Sequence, residues 1–386
     1  MRDTVKLGRV LGVRVGLNWS LLAIVALLAA GLAQNRFPAE ASGYSGRAYA
    51  LAGALTAVGL MAGVLLHEIG HALVARRAGL GVDGITLSWM GGVTRIEGEA
   101  AGPGAEMVIA GVGPAVSLAV GGAVWLVRLA VGAVGAGRLT LSALAWLAAI
   151  NVVLAVFNML PAAPLDGGRV LHAAVWRVTR SRWKATRAST ATGMVFGGLL
   201  VGVGFFVAAK RQDLVNGLFV GFIGWWLLGS ARSELAVGVI HHALDGVHVG
   251  EVMRPVGAAP GWITIRTFAD QYASTRPGCV WLLEDWGGGR YDGLLLPESL
   301  NAVPFPQWDM VRPVDIALPI SVTAGASPGE EILPVLARLG DKQVVIVVDG
   351  GRTIGAVMPS DVEALARMGT RGQFVGRRPT APGDIR

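Results

Sequence analysis

His67, Glu68 and His71 stand in GVLLHEIGHALVARR, residues 63–77, a stretch that is otherwise apolar up to its closing arginines. Ionisable side chains inside such a run are costly to bury and by default mark a functional site. On a helix, positions i and i+4 share a face, so the two histidines would stand one turn apart on one side. Two imidazoles so placed can hold one metal ion, and the adjacent glutamate can act as general base toward a water. H-E-x-x-H also arises in proteins that bind no metal. Here the apolar setting decides, because two histidines and a glutamate buried without a partner would be strongly destabilising. A zinc ion, one per chain, would supply that partner.

A catalytic zinc usually has three protein ligands and one open position. The third must come from a distance. NMLPAAPLDGGRVLHAAVW, residues 158–176, offers Asp166 at the end of another apolar run, where Pro161 and Pro164 break the helix. Asp166 before Gly167 and Gly168 also reads as a turn and helix cap. Glu97, Glu99, Glu106 and His172 are the rival ligands. His172 lies on an apolar helix face and reads as a packed histidine. His241 and His242 read as solvated linker residues.

The elements that position these groups follow from composition. Of 386 residues, 53% are hydrophobic and 15% charged, against about 25% charged in soluble domains, and the mean hydropathy is +0.55. The larger part therefore belongs in a lipid bilayer. Apolar runs near 17–34, 47–75, 104–130, 139–161, 190–209 and 214–230 are each long enough to cross a hydrocarbon core. The fold class is thus a polytopic α-helical membrane protein with about six transmembrane helices, the last two joined by the turn KRQDL. Arg2, Lys6, Arg9 and Arg14 precede the first helix. Arg76 and Arg77 follow the second, and Arg169, Arg177, Arg180, Arg182, Lys184 and Arg187 lie between the fourth and fifth. If the helices alternate, all of these share one side, which the positive-inside rule makes cytoplasmic. Both termini would then be cytoplasmic, in a multi-pass protein of the cell membrane.

VDGITLSWMGGVTRIEG, residues 82–98, has β-branched residues around Gly91-Gly92 and reads as a short membrane-associated β-hairpin. Such a hairpin must be covered by protein or line a wet cavity. The formal net charge of +7 would suggest nucleic acid in a soluble chain. Here the arginines flank apolar runs, so lipid headgroups explain them and no nucleic-acid partner is expected. Cys279 is the single cysteine, which excludes an intrachain disulfide, a thiolate cluster and a CxxC pair.

After about residue 234 the composition changes. EVMRPVGAAPGWITIRTFADQYA and MVRPVDIALPISVTAGASPGEEILPVLARLG each run from a proline turn through a strand to a helix, and strands follow each. This predicts a soluble C-terminal α/β tandem. The expected domains are 1–233 in the membrane, 234–366 as the tandem, and 367–386 as a flexible tail.

The pairing of HEIGH at 67–71 with NMLPAAPLDGG at 158–168 resembles the site-2 protease family of intramembrane zinc metalloproteases. GVGPAVSLAV at 111–120 is similar to a further element of that family, with Ser117 where the family has Asn. The resemblance covers roughly residues 1–230. It implies that His67, His71 and Asp166 ligate zinc, that Glu68 activates water, and that Asn158 positions the substrate or donates to the oxyanion. It also implies a client with a transmembrane helix, such as an anti-sigma factor. The tandem resembles a CBS pair, which implies an adenosine nucleotide and a homodimer. Asp361 in GAVMPSDV stands where a ribose-binding Asp is expected, while GLLLPESL has Glu298 there. The competing reading is a CBS-regulated transporter or channel whose intramembrane His and Asp line an ion path.

Overall fold

The computed structural model describes residues 5–88, 91–210, 213–287, 291–320, 323–339 and 344–369. The tip of the expected hairpin, part of the KRQDL turn and the tail from residue 370 lie outside these residues. The chain forms two compact units, Met1–Ala236 and Val237–Arg386.

Among the described residues, six helices are long and apolar enough to cross a membrane. They are α1 (Ser20–Glu40), α2 (Gly46–Arg77), α3 (Pro103–Ala133), α4 (Arg138–Asn158), α6 (Arg182–Lys210) and α7 (Leu214–Leu244). Leu22, Leu126, Phe205 and Phe219 are exposed on them, as expected of helices whose solvent is lipid rather than water. The fifth span begins at Arg182 rather than near residue 190, and the sixth runs on to Leu244. Their polar ends extend the helix past the apolar window that marks the span. Between α4 and α6 lies α5 (Asp166–Thr179), an amphipathic helix that starts with Asp166. An acidic side chain there suits the positive end of the helix dipole.

The expected hairpin is present as β3 (Gly81–Ser88) and β4 (Gly91–Glu97), but it does not stand alone. Residues before α1 form two further strands, β1 (Val5–Val10) and β2 (Val13–Leu17). The four make one sheet in the order β1-β2-β3-β4, with β2 parallel to β3 and the other pairs antiparallel. Val13, Ile85 and Leu87 from this sheet pack with Leu21 of α1 and with Ile69 and Ala72 of α2. The sheet is therefore anchored on the same turns of α2 that carry the histidines. Arg14 pairs with Asp83 across β2 and β3, and Arg95 of β4 reaches the same carboxylate.

The second unit holds two β-α-β-β copies. The first is β5 (Arg254–Pro260), α8 (Ile265–Phe268), β6 (Val280–Glu284) and β7 (Tyr291–Leu295). The second is β8 (Thr323–Ala326), α9 (Ile332–Leu339), β9 (Val344–Asp349) and β10 (Arg352–Val357). In each copy the first two strands are parallel and the last pair antiparallel. The copies join through β5 and β10 into one six-stranded sheet, followed by α10 (Pro359–Gly369). This is the tandem plan of a CBS pair.

Candidate metal centre

His67 and His71 lie on the inner face of α2, 5% and 8% exposed. Their Nε2 atoms are 3.2 Å apart. Oδ2 of Asp166 lies 3.1 Å from Nε2 of His67 and 3.3 Å from Nε2 of His71. The three donor atoms therefore converge from residues 99 and 95 positions apart along the chain. Asp166 is at once the first residue of a helix and the third corner of this triangle.

What aims the two imidazoles is one face of α3, read at intervals of four residues. Nδ1 of His71 donates to the carbonyl of Ile109 at 2.7 Å. Nδ1 of His67 meets the hydroxyl of Ser117 at 2.8 Å. Between them is Gly113, where a Cβ would collide with both Nε2 atoms. The helix thus grips the two rings by their outer nitrogens and leaves a gap for the inner ones. A carbonyl can only accept, so a neutral His71 carries its proton on Nδ1 and presents a bare lone pair at Nε2. Outer partners of this kind fix the tautomer and orientation of metal-binding histidines.

Lone pairs from two imidazoles and a carboxylate, gathered in a buried place, repel one another unless a cation lies between them. Donors about 2.0–2.2 Å from a tetrahedral zinc stand about 3.3–3.6 Å apart, so the observed triangle fits that ion with slight relaxation. The three residues are the one cluster of three or more His, Cys, Asp or Glu able to hold a metal among the described residues.

Glu68 lies on the same turn, beneath β4. Its Oε2 accepts a hydrogen bond from the hydroxyl of Thr94 at 2.6 Å. Gly92 passes so close to the Glu68 side chain that a Cβ there would strike it. The rival ligands are occupied elsewhere or lie on the surface. Glu99 pairs with Arg182, Glu97 is exposed, and Glu106 pairs with His172 at 3.0 Å. His172 also meets Thr186 at 3.2 Å, so it is a packed and bonded histidine. The Asn158 amide donates to the carbonyl of Leu154, one turn back on its own helix, at 3.0 Å.

In the second unit, Asp361 receives the Arg254 guanidinium on Oδ1, at 2.7 Å from Nε and 2.5 Å from Nη2. Its Oδ2 accepts from the backbone amide of Met358 at 3.1 Å. Arg254 also pairs with Glu298 at 2.6 Å. Burial works to raise the Glu298 carboxyl, but the Arg254 guanidinium outweighs it and holds the group below the usual glutamate range. One arginine at the β5–β10 junction therefore ties together a carboxylate from each copy.

Ser117, Ile109, Gly113 and Thr94 carry the site's support, and spacing within HEIGH and LDG cannot reveal them. The one signal was Ser117 itself, visible as a departure in GVGPAVSLAV.

Comparison with known proteins bears on the whole chain. The model of peptidase family M50 matches residues 55–139 and 133–201, the span that includes His67, His71 and Asp166. Rip3 of Mycobacterium tuberculosis, assigned by name as a zinc metalloprotease, is 36% identical over 371 residues, covering 95% of this chain and 93% of its own. A solved site-2 protease from Methanocaldococcus jannaschii is 22% identical, covering 60% of this chain and 94% of its own, with a TM-score of 0.41. The CBS domain of a bacterial CNNM/CorC family Mg2+ transporter, solved with ATP, is 19% identical, covering 35% of this chain and 97% of its own, with a TM-score of 0.26. The match to Rip3 runs almost from end to end, and the chain is accordingly a zinc metalloprotease belonging to peptidase family M50.

Proposed function

We propose that His67, His71 and Asp166 hold the zinc, and that Glu68 is the general base for hydrolysis of a peptide bond in or near a transmembrane segment of a client protein. The observation that carries this reading is the buried convergence of two Nε2 atoms and one carboxylate oxygen within 3.1–3.3 Å. Bound there, zinc supplies Lewis acidity that polarises the scissile carbonyl and acidifies water. Glu68 takes the proton from the attacking water and later returns it to the leaving amine. The resemblance assigns Asn158 to orienting the client backbone or donating to the oxyanion, for which its amide has to leave the carbonyl of Leu154.

A helical client hides its peptide groups in its own hydrogen bonds, so it must unwind locally before its backbone reaches the centre. β4 has β3 on one side only among the described residues, and its open edge can take an unwound strand. Gly costs a helix about 1 kcal/mol and Pro about 3 kcal/mol relative to Ala. A single-pass client carrying a Gly-Pro pair beside the scissile bond is therefore expected to be cut at least about five times faster than its all-Leu counterpart, the factor that about 1 kcal/mol from the glycine alone supplies. The comparison is made in detergent by following product on gels, and equal rates would remove the unwinding step.

The arginine distribution supports cytoplasmic termini and a catalytic centre toward the cytoplasmic face of a cell membrane. The resemblance extends the reading to an anti-sigma factor as client and to a homodimer through the tandem copies. Those copies are also the candidate for regulation by an adenosine nucleotide, with Asp361 facing the ribose. Because Arg254 already holds Asp361, a nucleotide has to displace the guanidinium. Calorimetric titration of the full chain with ATP is expected to show binding that Asp361→Ala abolishes. A titration without heat, matched by unchanged cleavage with and without ATP, would remove nucleotide control.

A further inference from the structure

We infer that Thr94 is a positioning residue for the reaction: its hydroxyl fixes the carboxylate of Glu68 in the place from which it accepts the water's proton. The inference rests on the reading of Glu68 as the base. Along β4, residues 92, 94 and 96 are half-buried, while Val93 and Arg95 are exposed, the alternation of a strand covered on one side. Two of the inward positions meet Glu68. Gly92 leaves open the volume that the glutamate's Cγ and carboxyl occupy. Thr94 then closes the slot, its Oγ1 2.6 Å from Oε2 and 3.2 Å from the backbone carbonyl of Glu68.

Both of those partners only accept, and a hydroxyl has one proton to give. The shorter contact, to the carboxylate oxygen, is the stronger of the two. Thr94 therefore donates to Oε2 and leaves the second carboxylate oxygen for the proton of the water. Glutamate has three side-chain torsions, and at the end of a helical turn it would otherwise sample several rotamers. Fixing one of them is a form of pre-organisation, in which misplacement by about 1 Å can cost about a hundredfold in rate. None of this touches His67, His71 or Asp166, so removing the hydroxyl should spare the metal.

Thr94→Val and Thr94→Ser separate positioning from packing. Valine keeps the shape and the β-branching but not the hydroxyl, whereas serine keeps the hydroxyl and loses the branch. If Thr94 serves only the strand, valine is harmless and serine is the weaker variant. Positioning demands the reverse order. Thr94→Val is expected to lower kcat about ten- to a hundredfold with KM for a single-pass client and zinc content unchanged. Thr94→Ser is expected to stay within about threefold of wild type, since the donor survives. A second readout needs no turnover: the infrared difference spectrum of metal-free Thr94→Val against metal-free wild type should show a shifted carboxylate band, absent when the same substitution is made in Glu68→Gln. Wild-type kcat in Thr94→Val, or a valine variant faster than the serine variant, would overturn the inference while leaving Glu68 as base. Full activity of Glu68→Gln in the same assay would overturn both.

Discussion

Glu68→Gln is expected to lose cleavage of a single-pass client while keeping its zinc. Glutamine fills the same volume and still offers Thr94 an oxygen acceptor, so the slot beneath β4 stays occupied. What it lacks is a carboxylate able to take a proton. General bases contribute about 10²–10⁴ in rate, and here the same group serves twice, first toward the water and then toward the leaving amine. The loss should therefore fall at the upper end of that range and appear in kcat. Rates measured in detergent, with zinc determined by mass spectrometry on the same samples, check this. A Glu68→Gln protein that cuts at the wild-type rate would place the base elsewhere.

Asp166→Ala is expected to show the opposite pattern, a protein that folds but does not retain zinc. Asp166 supplies one of three donors, and two imidazoles alone cannot complete a catalytic site. Its removal does not threaten the fold, since the carboxylate points to the histidines rather than into a hydrophobic cluster. Ser117→Ala provides the scale. Ser117 orients His67 without touching the metal, and losing such an outer partner costs about 10–100-fold in affinity. Asp166→Ala should weaken zinc by more than Ser117→Ala, with His71→Ala comparable to Asp166→Ala. Competition against a chelator of known affinity ranks the variants. Equal affinities for Asp166→Ala and wild type would mean that the third donor is another residue.

The parts of this intramembrane metalloprotease that were legible in its sequence share one property: each is local. The spans are windows of apolar residues, His67 and His71 are one helical turn, and LDG is a proline-flanked turn that starts a helix. β1 and β2 were not legible, because VKLGRV and VRVGL are short, glycine-interrupted and basic, and read as the charged flank of α1. They become strands only because β3 offers them an edge. The hairpin was legible as two strands but not as half of a sheet, for the same reason. Ser117, Ile109 and Gly113 act through a face of α3 set against α2, and Thr94 through a strand laid across a helix. Their roles depend on packing between distant segments. Arg254 shows the same limit in the second unit, where Asp361 is recognisable by its motif and its guanidinium partner, 107 residues away, is not.

The most direct test of the central claim is zinc K-edge absorption spectroscopy on the purified full chain, wild type and Asp166→Ala. Wild type is expected to hold one zinc with two imidazole nitrogens and a carboxylate oxygen at about 2.0–2.2 Å, and the substitution to remove the oxygen or the metal. Absence of stoichiometric zinc from wild type, or a coordination shell unchanged by Asp166→Ala, would contradict it.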